Sequence, residues 1–347
     1  MKIRITEETL RDPDLYVIFN VILLFVEERR HVIDPDYLGV ILSSNWVKNL
    51  NNRVREFLTL SARSTSFSRT ISSTTVIIDK NAAVGGVVDF SRRTTSIRPV
   101  EALIFLAQPF SVIVENEWFD GSFILWMAKV RNNQRFISAY RDRLFQFRHA
   151  GGKSELERSA KVLSTGVWPR SDNDYTHARR LWCGILLDSD SSYEGDDPNA
   201  TIRLKCEPHT AWVRQLSARS IENFLPKVSM LNYYSDHVDK AKVHAYFNMS
   251  VSQMRHFNLK KGFALVSTAN PSLEEFQKSP HVHKERKILY KNVSVQDWEL
   301  LCKGFGSALS TIYTKLEHRP EPGKTILPLP GMNKEIDEIL DDVMRSI

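Results

Sequence analysis

The sequence predicts an α/β fold, with a parallel sheet flanked by helices and its polar site at the C-terminal ends of the strands. Three observations predict it. The apolar run EALIFLAQPFSVIVE (101–115) ends abruptly in acid, LWCGILLDSD (181–190) does the same, and helical periodicity fills much of the interval between them. A strand buried on both faces reads as a continuous apolar run, and parallel neighbours require crossover connections. Ligands in such open sheets gather outside the carboxyl ends of the strands.

Along the chain, residues 1 to about 62 read as helical. LYVIFNVILLFVEE (15–28) is one candidate, and YLGVILSSNWVKNLNNRVREFLTL (37–60) repeats its apolar residues at three and four. The run Leu15–Val26 is too short to span a bilayer, contains Asn20 and is flanked by acids, so a buried helix is expected there rather than a membrane span or a signal peptide. Between Ser64 and Arg98 the composition shifts to Ser, Thr, Val and Arg, and TTVIID and GGVVDF around a turn at Asn81–Gly86 suggest a hairpin or small sheet. After the first acidic strand, residues from Phe123 to about Ala150 show helical periodicity. ARSIENFLP (218–226) reads as a helix start stopped by Pro226. VQDWELLCKGFGSALSTIYTKLEH (295–318) suggests a helical pair, RPEPGKTILPLPG a linker, and NKEIDEILDDVMRSI an acidic amphipathic helix docking on its own chain. The expected organisation is an N-terminal helical and small β region (1–100), a central α/β domain (101–270) and a C-terminal helical region (271–347).

The composition is that of an ordinary globular protein, with 42% hydrophobic and 25% charged residues among 347. A net charge of +6 suits a partner bearing phosphates. Cys183, Cys206 and Cys302 are far apart, odd in number and form no CxxC pair, which argues against a zinc ribbon or a disulfide framework and for a reducing, cytoplasmic setting.

The acids carry the chemistry. VIVENEWFDGSF puts Glu115 at a strand end, with Glu117 and Asp120 in the turn that follows. In ILLDSDSS, Asp188 and Asp190 are two apart and on an extended strand would project to one side. Converging carboxylates hold hard cations such as Mg²⁺ or Mn²⁺, and two ions so held can cleave a phosphodiester. MRHFNLKKGF adds Arg255, Lys260 and Lys261 downstream, with one lysine beside Gly262 able to approach a phosphate. Arg131, Arg135, Arg141, Arg143 and Arg148, interleaved with Phe136, Tyr140 and Phe147, suggest a nucleic-acid face, although the same aromatics suit a helix core.

The succession VIVEN…D, LLDSD, SIENFLP and FNLKKGF resembles the Toprim domain of OLD-type (overcoming lysogenization defect) nucleases, over roughly residues 105 to 265. The resemblance implies a Toprim-like sheet and a metal-dependent centre made of Glu115, Asp188, Asp190 and Glu222, with Lys260 or Lys261 and with Asp120 as a secondary acid. It also implies a DNA endonuclease acting in defence against phage or plasmids. Asn116 stands where that family commonly has glycine, and Asp120 lies five positions after Glu115 rather than four. Residues 1–100 contain no phosphate-binding loop, so the family's ATPase would sit on a separate chain; the sequence leaves the oligomeric state open. Two other functions fit parts of the pattern: a HAD-type phosphatase with Asp188 as nucleophile and Asp190 as acid, and a non-catalytic Toprim-like module binding nucleic acid or an ATPase. AGGKS (150–154) and PGKT (322–325) end like phosphate loops but lack the first glycine. DSDSSYEGDDPN lacks the glycine and glutamate of a calcium hand, and no GxSxG or HxxxH pattern occurs.

Overall fold

Met1, Ile3 and Ile5 are buried while Lys2 and Arg4 are only partly so, the alternation of a strand. In the computed structural model, which describes residues 1–67, 74–165, 177–234, 236–265, 270–315, 321, 323 and 325–347, this segment is the first strand of a five-stranded sheet. Its members are β1 (Lys2–Ile5), β2 (Val32–Ile33), β3 (Thr75–Ile78), β4 (Val87–Asp89) and β5 (Thr94–Ile97), in the order β2-β1-β3-β5-β4. All neighbours are parallel except β4 with β5. The N-terminal region is therefore an α/β unit in its own right, larger than the helical and small β region expected. Four alternating residues and a two-residue strand carry too little periodicity to stand out beside long apolar helices. Tyr16–Glu27 is the helix anticipated for the first apolar run, but it is buried on one face only, through Phe19, Ile22, Leu23 and Val26, while Val17 and Leu24 are exposed.

The second sheet is parallel throughout. It consists of β6 (Phe110–Val114), β7 (Phe145–His149), β8 (Cys183–Leu187) and β9 (Trp212–Gln215), in the order β7-β6-β8-β9. Every residue of β6 and β8 is buried, as central parallel strands require. Three expectations are corrected here. The run 101–115 is not one strand: Pro99–Leu106 is a helix with Pro99 in its first turn, and the chain turns through Pro109 before β6. The stretch from Phe123 to Ala150 divides into helices Glu117–Val130 and Gln134–Arg141 followed by β7; Asn132 and Arg143, at φ 52° and 56°, make the turns, and Arg148 lies on a strand. Ile221–Phe224 is a single 3₁₀ turn, and the α-helix Lys227–Tyr233 begins after Pro226 rather than stopping there.

The connections from β6 and β8 leave in opposite directions, to β7 on one side and β9 on the other. Between β6 and β8 the sheet therefore has its topological switch point, where the loops at the carboxyl edge diverge and open a crevice.

The largest core lies on one face of this sheet and joins Phe110, Phe123 and Trp126 to Phe257, Phe263, Trp298, Tyr313 and Ile339. Residues beyond 271 thus share the core of the second sheet. The terminal helix Met332–Met344 docks on its own chain through ion pairs from Arg131 to Asp337 and from Arg214 to Asp342. The helical pair expected over 295–318 is the helix Val295–Leu301 and the 3₁₀ helix Ser307–Tyr313, and residues 316–318 lie outside the described part. Cys183, Cys206 and Cys302 are free and buried. Among the described residues no helix is long and apolar enough to cross a membrane.

One close approach ties the C-terminal region to the sheet's polar edge. Gly262 (φ +65°) and Gly304 (φ +61°) face each other, and a Cβ on Gly262 would lie 2.1 Å from the Leu301 carbonyl. Backbone bonds flank this contact: Phe263 N donates to Cys302 O at 3.0 Å, Phe305 N to Leu259 O at 2.7 Å and Gly306 N to Lys260 O at 3.0 Å. Gly262→Ala is expected to lower stability by roughly 1–3 kcal/mol from the positive φ alone, with the clash in addition. Denaturant melts check this, and an unchanged midpoint would show that the two segments can separate freely.

Candidate active site

Each strand of the second sheet delivers a polar residue to the same edge. Glu115 directly follows β6, and Asn116 caps the helix Glu117–Val130, its Oδ1 accepting from Trp118 N at 3.0 Å and Phe119 N at 3.2 Å. One turn on, Asp120 reaches back, its Oδ2 accepting from Asn116 N at 2.9 Å. Asn116 is thus a helix cap, and Asp120 lies on the inner side of the first turn.

Asp188 and Asp190 lie beyond the end of β8 and not on extended strand. Asp190 has φ 54°, so the two carboxylates diverge instead of projecting side by side. Asp188 Oδ1 accepts from Ile221 N at 3.1 Å, while Asp190 forms an ion pair with Lys153. The loop is held against the segment after β9: Ser189 Oγ donates to Ala218 O at 2.9 Å, Asp190 N to Arg219 O at 2.9 Å, and Asn199 Nδ2 to Asp188 O at 2.8 Å.

Glu222, in the 3₁₀ turn after β9, is fully buried. Its Oε1 accepts from Ser310 Oγ at 2.5 Å and pairs with Lys260 Nζ at 3.0 Å. Tyr313 OH donates to Ile221 O at 2.7 Å and steadies the same turn. A charge buried this deeply is retained only with such partners.

The structure therefore brings together Glu115, Asp120, Asp188, Asp190, Glu222 and Lys260. It does not add Lys261, whose side chain is exposed. Arg131 is committed to Asp337 through two bonds of 2.8 Å, and Arg255 donates to Pro330 O at 3.4 Å. Arg135, Arg141 and Arg143 are exposed, and the last two precede β7, at the end of the sheet opposite the acids. Sequence reasoning missed Lys153, Ser310 and Tyr313. Lys153 had one signal, the glycine pair of AGGKS just before it; its place beside β6 follows from the pairing of β7, which only folding shows. Ser310 and Tyr313 had none, because only folding brings them to Glu222.

Comparison with protein-family models, with curated proteins and with solved structures finds no match to this chain. The site must be read from its own chemistry.

That chemistry is crowding of like charge. Burial, then the fields of Glu222, Asp120 and Glu115, hold the Asp188 carboxyl well above its usual range. Asp120 is pushed up to about 6, by burial first and also by Glu222. Burial also raises Glu115, opposed by Lys153. Two oxygens, Glu115 Oε1 and Glu222 Oε2, are buried and have no hydrogen-bond donor among the described residues. As they stand, no three His, Cys, Asp or Glu side chains among the described residues are drawn into ligand geometry; the positive charge at this edge comes from Lys153 and Lys260.

A carboxylate whose folded pKa is raised makes the native state bind more protons than the unfolded chain. Its effect on stability is then absent at low pH and turns unfavourable as pH rises through the two pKa values. For Asp120 the window runs from about 4 to about 6. Without added metal, Asp120→Asn is expected to stabilise the protein by roughly 1–3 kcal/mol at pH 7.5, with the gain shrinking as pH falls through 6 towards 4. Thermal melts across this range check it, and a variant less stable than the parent at pH 7.5 would contradict the crowding.

Proposed function

We propose that this chain is a metal-dependent nuclease of Toprim type that hydrolyses phosphodiester bonds in nucleic acid. The observation that carries the reading is the convergence of Glu115, Asp120, Asp188 and Glu222, from the segments that follow β6, β8 and β9, in one cluster of mutually repelling carboxylates beside Lys260. The donors are hard carboxylate oxygens, two of them buried and without a hydrogen-bond donor among the described residues, which fits Mg²⁺ or Mn²⁺. Glu115, Asp120, Asp188 and Glu222 would hold the ion or ion pair, with Asp190 once it is released from Lys153. Bound there, divalent metal supplies an activated water and neutralises charge developing on phosphate and leaving oxygen.

The chain's own groups do the rest. Lys260 stays protonated against Glu222 and, 41% exposed, keeps part of its ammonium free for a phosphate oxygen. Ser310 and the Ile221 amide fix one oxygen each of Glu222 and Asp188, so these carboxylates need little reorganisation when charge develops. Trp118, 65% exposed in the first turn after Glu115, offers an indole face on which a base can stack. The phosphatase reading uses only Asp188 and Asp190 and leaves Glu115 and Glu222 without a task. DNA as substrate, a separate ATPase partner and a role in defence come from the family resemblance.

The test is cleavage of supercoiled plasmid and of single-stranded DNA and RNA in Mg²⁺ and Mn²⁺. Nicking that needs metal and is reduced to background in Glu115→Ala and Asp188→Ala is the expected result. No cleavage of any substrate, with or without ATPase chains from the same genome, would reject the proposal. Trp118→Ala is expected to weaken single-stranded DNA binding about fivefold or more while leaving the fold unchanged, as loss of one stacked base implies. Fluorescence anisotropy measures this, and unchanged affinity would remove Trp118 from the binding surface.

A further inference from the structure

The nuclease reading leaves Lys153 unexplained. It opens the short 3₁₀ turn Lys153–Glu155, directly after Gly151 and Gly152 at φ +91° and +114°. These are conformations that favour glycine, and they fold the loop leaving β7 back over the end of the neighbouring β6. The ammonium is thereby brought into an ion pair with Asp190 and to 3.6 Å from Glu115 Oε1, linking acids that follow the two central strands of the sheet.

Lys153 and Lys260 are held in different ways. The partner of Lys260 is wholly buried, and its backbone is locked by the Gly262–Gly304 contact. The partners of Lys153 are 27% and 41% exposed, and its glycine pair stands in open space, where a Cβ on either residue would meet nothing within 4 Å. Among the described residues no donor comes closer to Glu115 Oε1 than this ammonium, which at 3.6 Å stands just outside hydrogen-bond distance. Lys153 is itself the less exposed of the two, 20% against 41%, so what sets it apart is that solvent reaches its partners and the glycines before it are unpacked.

We infer that Lys153 is a tethered counter-ion that occupies the divalent-cation position between Glu115 and Asp190 and is displaced when the metal binds, its ammonium passing to a phosphate of the incoming nucleic acid. This inference rests on reading the acidic edge as a metal centre. An ammonium and a divalent ion cannot share these carboxylates, because like charges a few ångströms apart in a partly dry site repel strongly. A phosphate gives the displaced lysine a charge-assisted partner, so substrate and metal each favour binding of the other. The arrangement keeps the centre poorly loaded until nucleic acid arrives.

The test is Mn²⁺ binding to the metal-free full-length chain, followed by the electron paramagnetic resonance of the free aqua ion, with no nucleic acid present. Lys153→Met is expected to bind Mn²⁺ at least tenfold more tightly than the parent. Arg158→Met, which removes an exposed cation from the following helix, is expected to change affinity less than threefold. Unchanged or weaker binding in Lys153→Met overturns the counter-ion role while leaving the metal centre intact. Equal tightening in both variants also overturns it, by assigning the effect to net charge. If neither the parent nor Lys153→Met binds Mn²⁺ while circular dichroism shows both folded, the metal centre fails and the counter-ion with it.

Discussion

The mutual repulsion of Glu115, Asp120, Asp188 and Glu222 at one edge of a parallel sheet is the constraint on which the rest of this structure depends. Burial raises the cost of each charge, and every neighbouring acid adds to it. A fold that needed only stability would disperse these groups or replace them with apolar residues. Here they are concentrated at the crevice between β6 and β8 and offset by two lysines from loops on either side. Such an arrangement stores unfavourable electrostatics that a divalent cation would relieve.

Much of the scaffold serves to hold that arrangement. The 3₁₀ turn carrying Glu222 is pinned by Ser310 and Tyr313, which lie some ninety residues away in the chain. The Asn223 side chain donates to Met254 O at 2.9 Å and Phe257 O at 3.0 Å, fastening the same turn to the segment that leads to Lys260. The terminal helix contributes Glu335, which accepts from Ser217 N at 2.6 Å and so fixes the loop after β9. These contacts explain why residues beyond 271 share a core with the second sheet. The N-terminal unit has its own core, but Ala178 and Trp182, on the approach to β8, are packed into it. The first unit thereby packs against the approach to the strand that Asp188 directly follows.

The parallel sheet and the acids at its edge were legible in the sequence because a strand buried on both faces leaves an uninterrupted apolar run, and an acid ending such a run is conspicuous. Glu115 and Asp188 were found that way, whereas Glu222, in a segment read as a helix start, came only through the family resemblance. The geometry of Asp190 was not, because the positive φ that turns it towards Lys153 has no glycine to announce it. Strand β1 was hidden by its length, and β7 by the helical spacing of its flanks. Lys153 was weighed only as part of a phosphate-loop pattern, and what places it is the pairing of β7 with β6, a tertiary fact. The arginines drew attention by composition, yet Arg131 forms an ion pair with the terminal helix, and Arg141 and Arg143 stand at the far end of the sheet.

The most direct measurement is anomalous scattering at the manganese edge from crystals soaked in Mn²⁺. The account predicts a peak bounded by Glu115, Asp120, Asp188 and Glu222 and reached by Asp190, with Lys153 moved away from Asp190. A peak confined to another acidic stretch, such as Asp196 and Asp197, or full occupancy of the four-acid site with Lys153 still paired to Asp190, would contradict it.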